Sequence, residues 1–388
     1  MKRRIFLASA PVAAATASLF TSGVISDVRA ENKEADDGSL ITIGSTAAMT
    51  GPLAGFGQTM KLGVDAAIHQ INAKGGINSR QLRFEMADDA YVPDRSVENA
   101  KKLIANTNIV ALLGCLGTAN NAAITPLVEA AGIPHLAPLT GASSLRKNDY
   151  QSVFHLRASY TDEINRLVQN LVSMGIRDLA MVYLDNPYGK EVAQDTTRAL
   201  AAANVTASAM VALSVDGKNL KQVIATALAA KPSAVLLGTA GAATTGLVAG
   251  LKQASPMIPI AGVSAALTQD GIKALGAAAQ GIAITHVYPD ASQAKHLIVR
   301  DYQAAMRSVN QTEFTTGSLE GYISARLMFE AMQRAGRNIT RERIRHALAS
   351  IHNFDMGGFT VNYGSDNAHV GSKFVGLGVL TSDGRLRT

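Results

Sequence analysis

Short runs of apolar and β-branched residues alternate along the chain with stretches whose apolar positions recur every three or four residues. The first run, 40–45, is followed by Met60, Val64, Ala67 and Ile71 on one helical face. Gly75-Gly76 ends that helix with backbone conformations that glycine allows. A second strand is predicted over 81–87. Pro93-Asp94 then opens a helix that turns Val97, Ala100, Leu103 and Ile104 inward. The run 109–113 is apolar throughout, as a strand at the centre of a parallel sheet would be. A helix over 120–131, a strand over 134–137 and an extended piece over 153–157 follow. Ser159-x-x-Asp162 reads as a capping box ahead of Ile164, Leu167, Val168 and Leu171. Further strands are predicted over 178–184, 205–213, 233–238, 258–262 and 281–286. One late helix carries Leu319, Ile323 and Leu327. Another, capped by Thr340, carries Ile344, Leu348 and Ile351. Strands over 359–363 and 373–380 close the pattern.

Strand–helix alternation of this length predicts α/β architecture with parallel sheets. The chain exceeds what one core holds comfortably, so two doubly wound lobes are expected. Clear helix is missing near 156–159, 286–290 and 362–370, which suits three hinge crossings rather than one tether. The expected division is a leader at 1–30, an N-terminal lobe of 39–157 plus 287–363, and a C-terminal lobe of 158–286 plus 364–388.

Charge alters the picture only at the N-terminus. The 388 residues carry a formal +6, with 47% apolar and 17% charged positions. Residues 1–30 contain Lys2, Arg3, Arg4 and Arg29 against Asp27 alone, so half of that excess sits there. A charged start, an apolar stretch over 5–25 and Val28-Arg29-Ala30 read as an export signal peptide. Arg3-Arg4-Ile5-Phe6-Leu7 resembles a twin-arginine signal. A periplasmic product is expected. The remaining charge is too diffuse for nucleic-acid binding.

Cys115 is the only cysteine, so no intrachain disulfide exists. The eight histidines show no metal-ligand spacing. No nucleophile elbow, phosphate loop or dinucleotide fingerprint is present. No enzyme activity, cofactor or metal is expected.

Three motifs stand in a particular order. Thr50-Gly51-Pro52-Leu53-Ala54-Gly55-Phe56-Gly57 follows the first strand, Asn72-Ala73-Lys74-Gly75-Gly76-Ile77 ends the first helix, and Asp88-Asp89-x-x-x-Pro93 follows the second strand. Asp185-Asn186-Pro187-Tyr188-Gly189 and the loop over 114–123 fit the same scheme. This order, over nearly all of the mature chain, resembles the leucine/isoleucine/valine-binding proteins of ABC importers, periplasmic binding proteins of the first structural type. The resemblance implies a monomeric two-lobed clamp that closes on a small-molecule ligand and docks on the permease subunits of an ABC transporter. A sensor presenting its closed form to a receptor is the alternative.

The resemblance also implies a site. Gly114-Cys115-Leu116-Gly117-Thr118 lies between an apolar strand and a helix. Unpartnered amides there suit a carboxylate, with the Thr118 hydroxyl as a further donor. Leu139, Thr140 and Gly141 match the family's head-group loop, with Gly141 standing where relatives have threonine. Phe56 falls where the family places an aromatic over the ligand side chain. Tyr188 and Tyr160 would contribute from the opposite lobe and the first crossing. Ser264 falls where amino-acid binders carry an acid that pairs the ligand ammonium. No acid occurs between it and Asp270. Either another acid serves, Asp185 being one choice, or the ligand lacks an α-ammonium, as an aromatic or branched organic acid does.

Overall fold

The computed structural model describes residues 40–364 and 369–388; the signal peptide and twin-arginine readings lie outside them. Five strands form the first sheet: β1 (Leu40–Ala47), β2 (Gln81–Asp88), β3 (Ile109–Leu113), β4 (His135–Leu136) and β5 (Val153–Phe154). They run parallel in the order β2-β1-β3-β4-β5. The helices between them are α1 (Ala54–Asn72), α2 (Pro93–Ala105) and α3 (Thr118–Ala131). Every residue of β3 is buried, as its unbroken apolar run requires.

A second sheet repeats the scheme. After α4 (Tyr160–Ser173) come β6 (Leu179–Leu184), α5 (Pro187–Ala202), β7 (Ala209–Leu213), α6 (Leu220–Ala229), β8 (Ala234–Gly238), α7 (Ala242–Ala254), β9 (Ile260–Gly262), α8 (Gln269–Leu275) and β10 (Ala283–His286). The chain then adds α9 (Leu297–Ser308), α10 (Thr316–Ala335), α11 (Arg341–Ala349), a hairpin of β11 (Phe354–Asp355) and β12 (Thr360–Val361), and finally β13 (Gly376–Leu380) and β14 (Leu386–Arg387). The order is β14-β13-β10-β9-β8-β6-β7. Its core is parallel, but β13 pairs antiparallel to β10, and β14 to β13. The parallel sheets expected are present, with two late strands added antiparallel at one edge; β14 follows β13 through a short turn, which permits only antiparallel pairing.

Several local signals hold. Ser159 and Asp162 form the capping box of α4, and Thr340 caps α11 by accepting from Arg343 N–H. The run 205–213 is strand only from Ala209, because Val205 N–H still bonds Leu200 to close α5. At the start of α11, Arg341 donates to the carbonyls of Ile104, Asn106 and Ile109.

The late helices return to the first sheet's side. α10 crosses α1 so closely that a Cβ on Gly63 would overlap the Ser318 carbonyl, and one on Gly321 the Met60 carbonyl. The segment after β5 meets the late chain where His155 N–H bonds the His369 carbonyl at 2.8 Å and Gly371 N–H bonds His155 at 2.7 Å. Phe154 stacks on the His369 ring at 4.2 Å between centroids. Two of the stretches without clear helix therefore run side by side.

Candidate ligand-binding site

In an open parallel sheet, loops leaving strands on either side of the reversal in strand order diverge and leave a crevice. The reversal lies between β1 and β3 in one sheet and between β6 and β8 in the other. Loops from all four strands meet. A cavity of about 40 Å³ is lined by Leu53 and Phe56 after β1, Gly117 and Thr118 after β3, Tyr188 after β6 and Ala240 after β8. Tyr91, Leu139, Arg157 and Tyr160 also line it. A larger cavity of about 160 Å³ adjoins it, sharing Phe56, Leu139, Arg157 and Ala265.

The expected site residues divide accordingly. Phe56 and Leu139 line both cavities, Thr118, Tyr160 and Tyr188 the small one, and Ser264 the large one. Thr140 and Gly141 line neither. Thr140 is buried behind Thr118, their hydroxyl oxygens 2.8 Å apart, and it accepts from Ala142 N–H. Gly141 accepts from Tyr160 N–H at 2.7 Å, and the Tyr160 ring leaves no room there for a Cβ. These two residues brace the wall rather than form it.

Tyr160 and Tyr188 make an edge-to-face pair with centroids 5.2 Å apart. Asn186 caps α5 by accepting from Gly189 N–H, which sets Tyr188 on the first helical turn. The Tyr188 hydroxyl donates to the Thr239 carbonyl at 3.3 Å. Burial drives both phenols upward, so both stay neutral. Asp185 points elsewhere: it is exposed and pairs with Lys190 at 2.8 Å.

A tyrosine ring covers part of the start of α3. Asp88 and Asp89 shape the loop after β2. Asp88 accepts from Met49, Thr50 and Ala90 N–H, and buried Asp89 accepts from the Thr46 and Ser96 hydroxyls and from Tyr91 N–H. Hydrogen bonds to Thr50, Met49 and Ala90, outweighing burial, bring the Asp88 carboxyl down to about 2. Ala90 and Tyr91 turn at positive φ, 47° and 63°. The Tyr91 ring is thereby laid over Gly117, where a Cβ would collide with it. The ring thus covers Gly117, beside the place where the resemblance put a carboxylate.

Sequence reading missed three further charged groups. Arg157, 6% exposed, lies just past β5 and donates through Nη2 to Ser264 Oγ. Its Nη2 is 3.7 Å from Glu163 Oε1 and its Nη1 3.6 Å from Glu320 Oε1. Glu163, wholly buried on α4, accepts from Ser264 N–H at 2.7 Å, Ser264 Oγ at 3.1 Å and Thr285 Oγ1 at 2.6 Å. Glu320 on α10 accepts from the Tyr288 hydroxyl at 3.2 Å. Burial raises the Glu320 carboxyl, while Arg157 and Tyr288 oppose the rise. One signal was available: Glu163 falls on the stripe Tyr160, Ile164, Leu167, where a charge needs a buried partner.

Among the described residues no three His, Cys, Asp or Glu side chains cluster to hold a metal ion. The sequence family described as periplasmic binding protein matches residues 40–384, both sheets included. The chain belongs to that family. A periplasmic binding protein of this kind captures substrate and is not an enzyme, and membership implies a periplasmic location. The chain is 29% identical over 168 residues to the Leu/Ile/Val-binding protein BraC3 of Rhizobium johnstonii, covering 43% of this chain and 45% of that one. The match thus spans less than half of that relative's length. A substrate-binding periplasmic protein from Ralstonia solanacearum has the same fold at TM-score 0.84 and 28% identity, covering 89% of this chain and 99% of that one. A possible leucine/isoleucine/valine-binding protein from Rhodopirellula baltica gives 0.84 and 26%, covering 91% and 97%. Ser264, where the resemblance led to an acid being expected, is bonded to Glu163 and Arg157.

Proposed function

We propose that the chain is the solute-capturing subunit of an ABC importer. It would take a small carboxylate-bearing solute into the cleft between two lobes and deliver it, as a monomer, to a membrane permease. The observation that carries this reading is the convergence of both strand-order reversals on one aromatic-lined cavity, within a chain of the periplasmic binding protein family. The lobes divide as 39–157 plus 287–363 and 158–286 plus 364–388. Phe56, Thr118 and Leu139 approach the ligand from the first sheet's side, backed by Thr140 and Gly141, and Tyr160 from the first crossing. Tyr188 and Ser264 approach from the second. Contacts from the second lobe are made only when the lobes close, so ligand shifts the population toward the closed form. A micromolar dissociation constant, about −8 kcal/mol, is the scale for such a site.

The test is a thermal-shift screen of the ligand-stripped protein against amino acids and organic acids, with small-angle scattering on each hit. A hit should raise the melting temperature and shrink the radius of gyration. Tyr188→Ala should weaken it at least about tenfold by loss of buried aromatic area. Tyr188→Phe should stay within about threefold, since the hydroxyl serves Thr239. No hit across the library ends the proposal. Loss of uptake on gene deletion separates an importer subunit from a sensor that shows its closed form to a receptor.

A further inference from the structure

Arg157 is the one cationic side chain lining the small cavity among the described residues, and it lines the larger one as well. A guanidinium has five N–H donors. Here one hydrogen bond is made, to Ser264 Oγ, and Nε is buried with no partner among the described residues. Both carboxylates beside it stand at 3.6 and 3.7 Å, close enough to hold its charge and too far for hydrogen bonds of ordinary length. Glu163 is already engaged with Ser264 and Thr285, and Glu320 with Tyr288. A buried guanidinium with unused donors beside a cavity is costly unless something else completes it.

Two more observations bear on what completes it. At the start of α3, the other place for an anion, the Tyr91 ring is packed on Gly117. None of the residues lining the small cavity is acidic; its body is Leu53, Phe56, Leu116, Tyr160, Leu184 and Tyr188. In the larger cavity Asp290 is turned into its own loop, accepting from Ser292 and Gln293, and Glu320 is taken up by Tyr288 and the guanidinium.

Building on the cleft reading above, we infer that Arg157 is the ligand's carboxylate anchor, and that the ligand is a monocarboxylate with an apolar or aromatic body and no ammonium group. A carboxylate placed in the cavity against the unused donors of the guanidinium gains charge-assisted hydrogen bonds. Its body then lies among the tyrosines. Glu163 and Glu320 hold the guanidinium in place. An ammonium in the small compartment would be buried with no acid to pair it.

The experiment is calorimetry with benzoate, 4-methylpentanoate, their amides and L-leucine. The unaltered protein should bind at least one acid and should bind its amide at least about thirtyfold more weakly. Arg157→Gln should weaken the acid about fiftyfold or more, and Arg157→Lys less. Circular dichroism checks that each variant is folded. Because Arg157→Gln disturbs a buried cluster, Glu320→Gln provides a second arm: it keeps the guanidinium and removes a competing anion, so acid binding should tighten severalfold. The inference is overturned if Arg157→Gln leaves affinity within threefold, if Glu320→Gln abolishes binding in a folded protein, or if L-leucine binds more tightly than 4-methylpentanoate. If neither acid binds the unaltered protein, the anchor falls. The cleft reading falls with it only when the wider metabolite screen also returns nothing.

Discussion

The Asp89 carboxylate accepts the Tyr91 amide at 2.8 Å, and this bond fixes the turn that lays the Tyr91 ring over Gly117. The same carboxylate accepts from Thr46 Oγ1 at 3.0 Å and Ser96 Oγ at 2.7 Å, so it ties β1, α2 and the cleft wall together. Asp89→Ala leaves three donors without an acceptor in a buried place. A loss of about 2–4 kcal/mol is expected. Tyr91→Phe should cost about 1 kcal/mol or less, because ring and packing remain. Urea denaturation with an unchanged m-value would read both; equal losses would show that Asp89 does not act through this network.

The lobes, the order of their elements and the loops that meet in the cleft were legible in the sequence. They rest on local signals: apolar runs, helical periodicity, caps and paired glycines. Phe56, Thr118, Leu139, Tyr160 and Tyr188 reach the small cavity because strand-end loops must gather at a reversal in strand order. What escaped was pairing over long separations. Arg157 meets Glu163 on a neighbouring helix, but also Ser264 and Glu320, more than a hundred residues on. No periodicity encodes such a meeting. Tyr91 escaped for a related reason: its placement depends on two successive positive-φ residues in a loop whose sequence contains no glycine to announce them.

Cys115 sits after β3 with 1% of its surface exposed, and burial pushes its thiol up to about 12. The thiolate is the nucleophile, and at pH 8 almost none is present. In the native protein, Cys115 should resist a thiol-exchange reagent for hours at pH 8, then react stoichiometrically within minutes in denaturant. Rapid labelling of the native state would contradict the burial described here.

The α1–α10 crossing depends on Gly63, since a methyl group there meets the Ser318 carbonyl and the Tyr322 amide. Backbone cannot swing aside as a flexible side chain does. Gly63→Ala is therefore expected to lose about 3 kcal/mol, at the upper end of overpacking costs, although alanine favours helix more than glycine. Gly75→Ala makes the contrast. That position has open space around it but a φ of 94°, so its cost is conformational, about 1 kcal/mol. Melting curves of the two variants should separate clearly, with Gly63→Ala the lower.

Acid should destabilise the fold well above the carboxylate range. His135 is wholly buried in β4, neither ring nitrogen has a partner among the described residues, and burial brings its pKa down to about 3. His155 is held well below its ordinary value by burial first and then by Arg146, with His135 and His369 adding to the effect. In the unfolded chain both titrate near 6.5. The unfolded state therefore binds protons that the native state refuses, so stability is full above about pH 7 and falls as pH drops through 6.5 toward 3. Each histidine contributes up to about 1.4 kcal/mol per pH unit, so the pair should lose about 4 kcal/mol between pH 7 and pH 5. His135→Leu removes one of the two proton sites and a pair of unsatisfied nitrogens, and should roughly halve that loss. Urea midpoints at pH 7, 6 and 5 for both proteins test this. Identical slopes would mean that His135 is protonated in the native state, which its buried, partnerless ring does not permit.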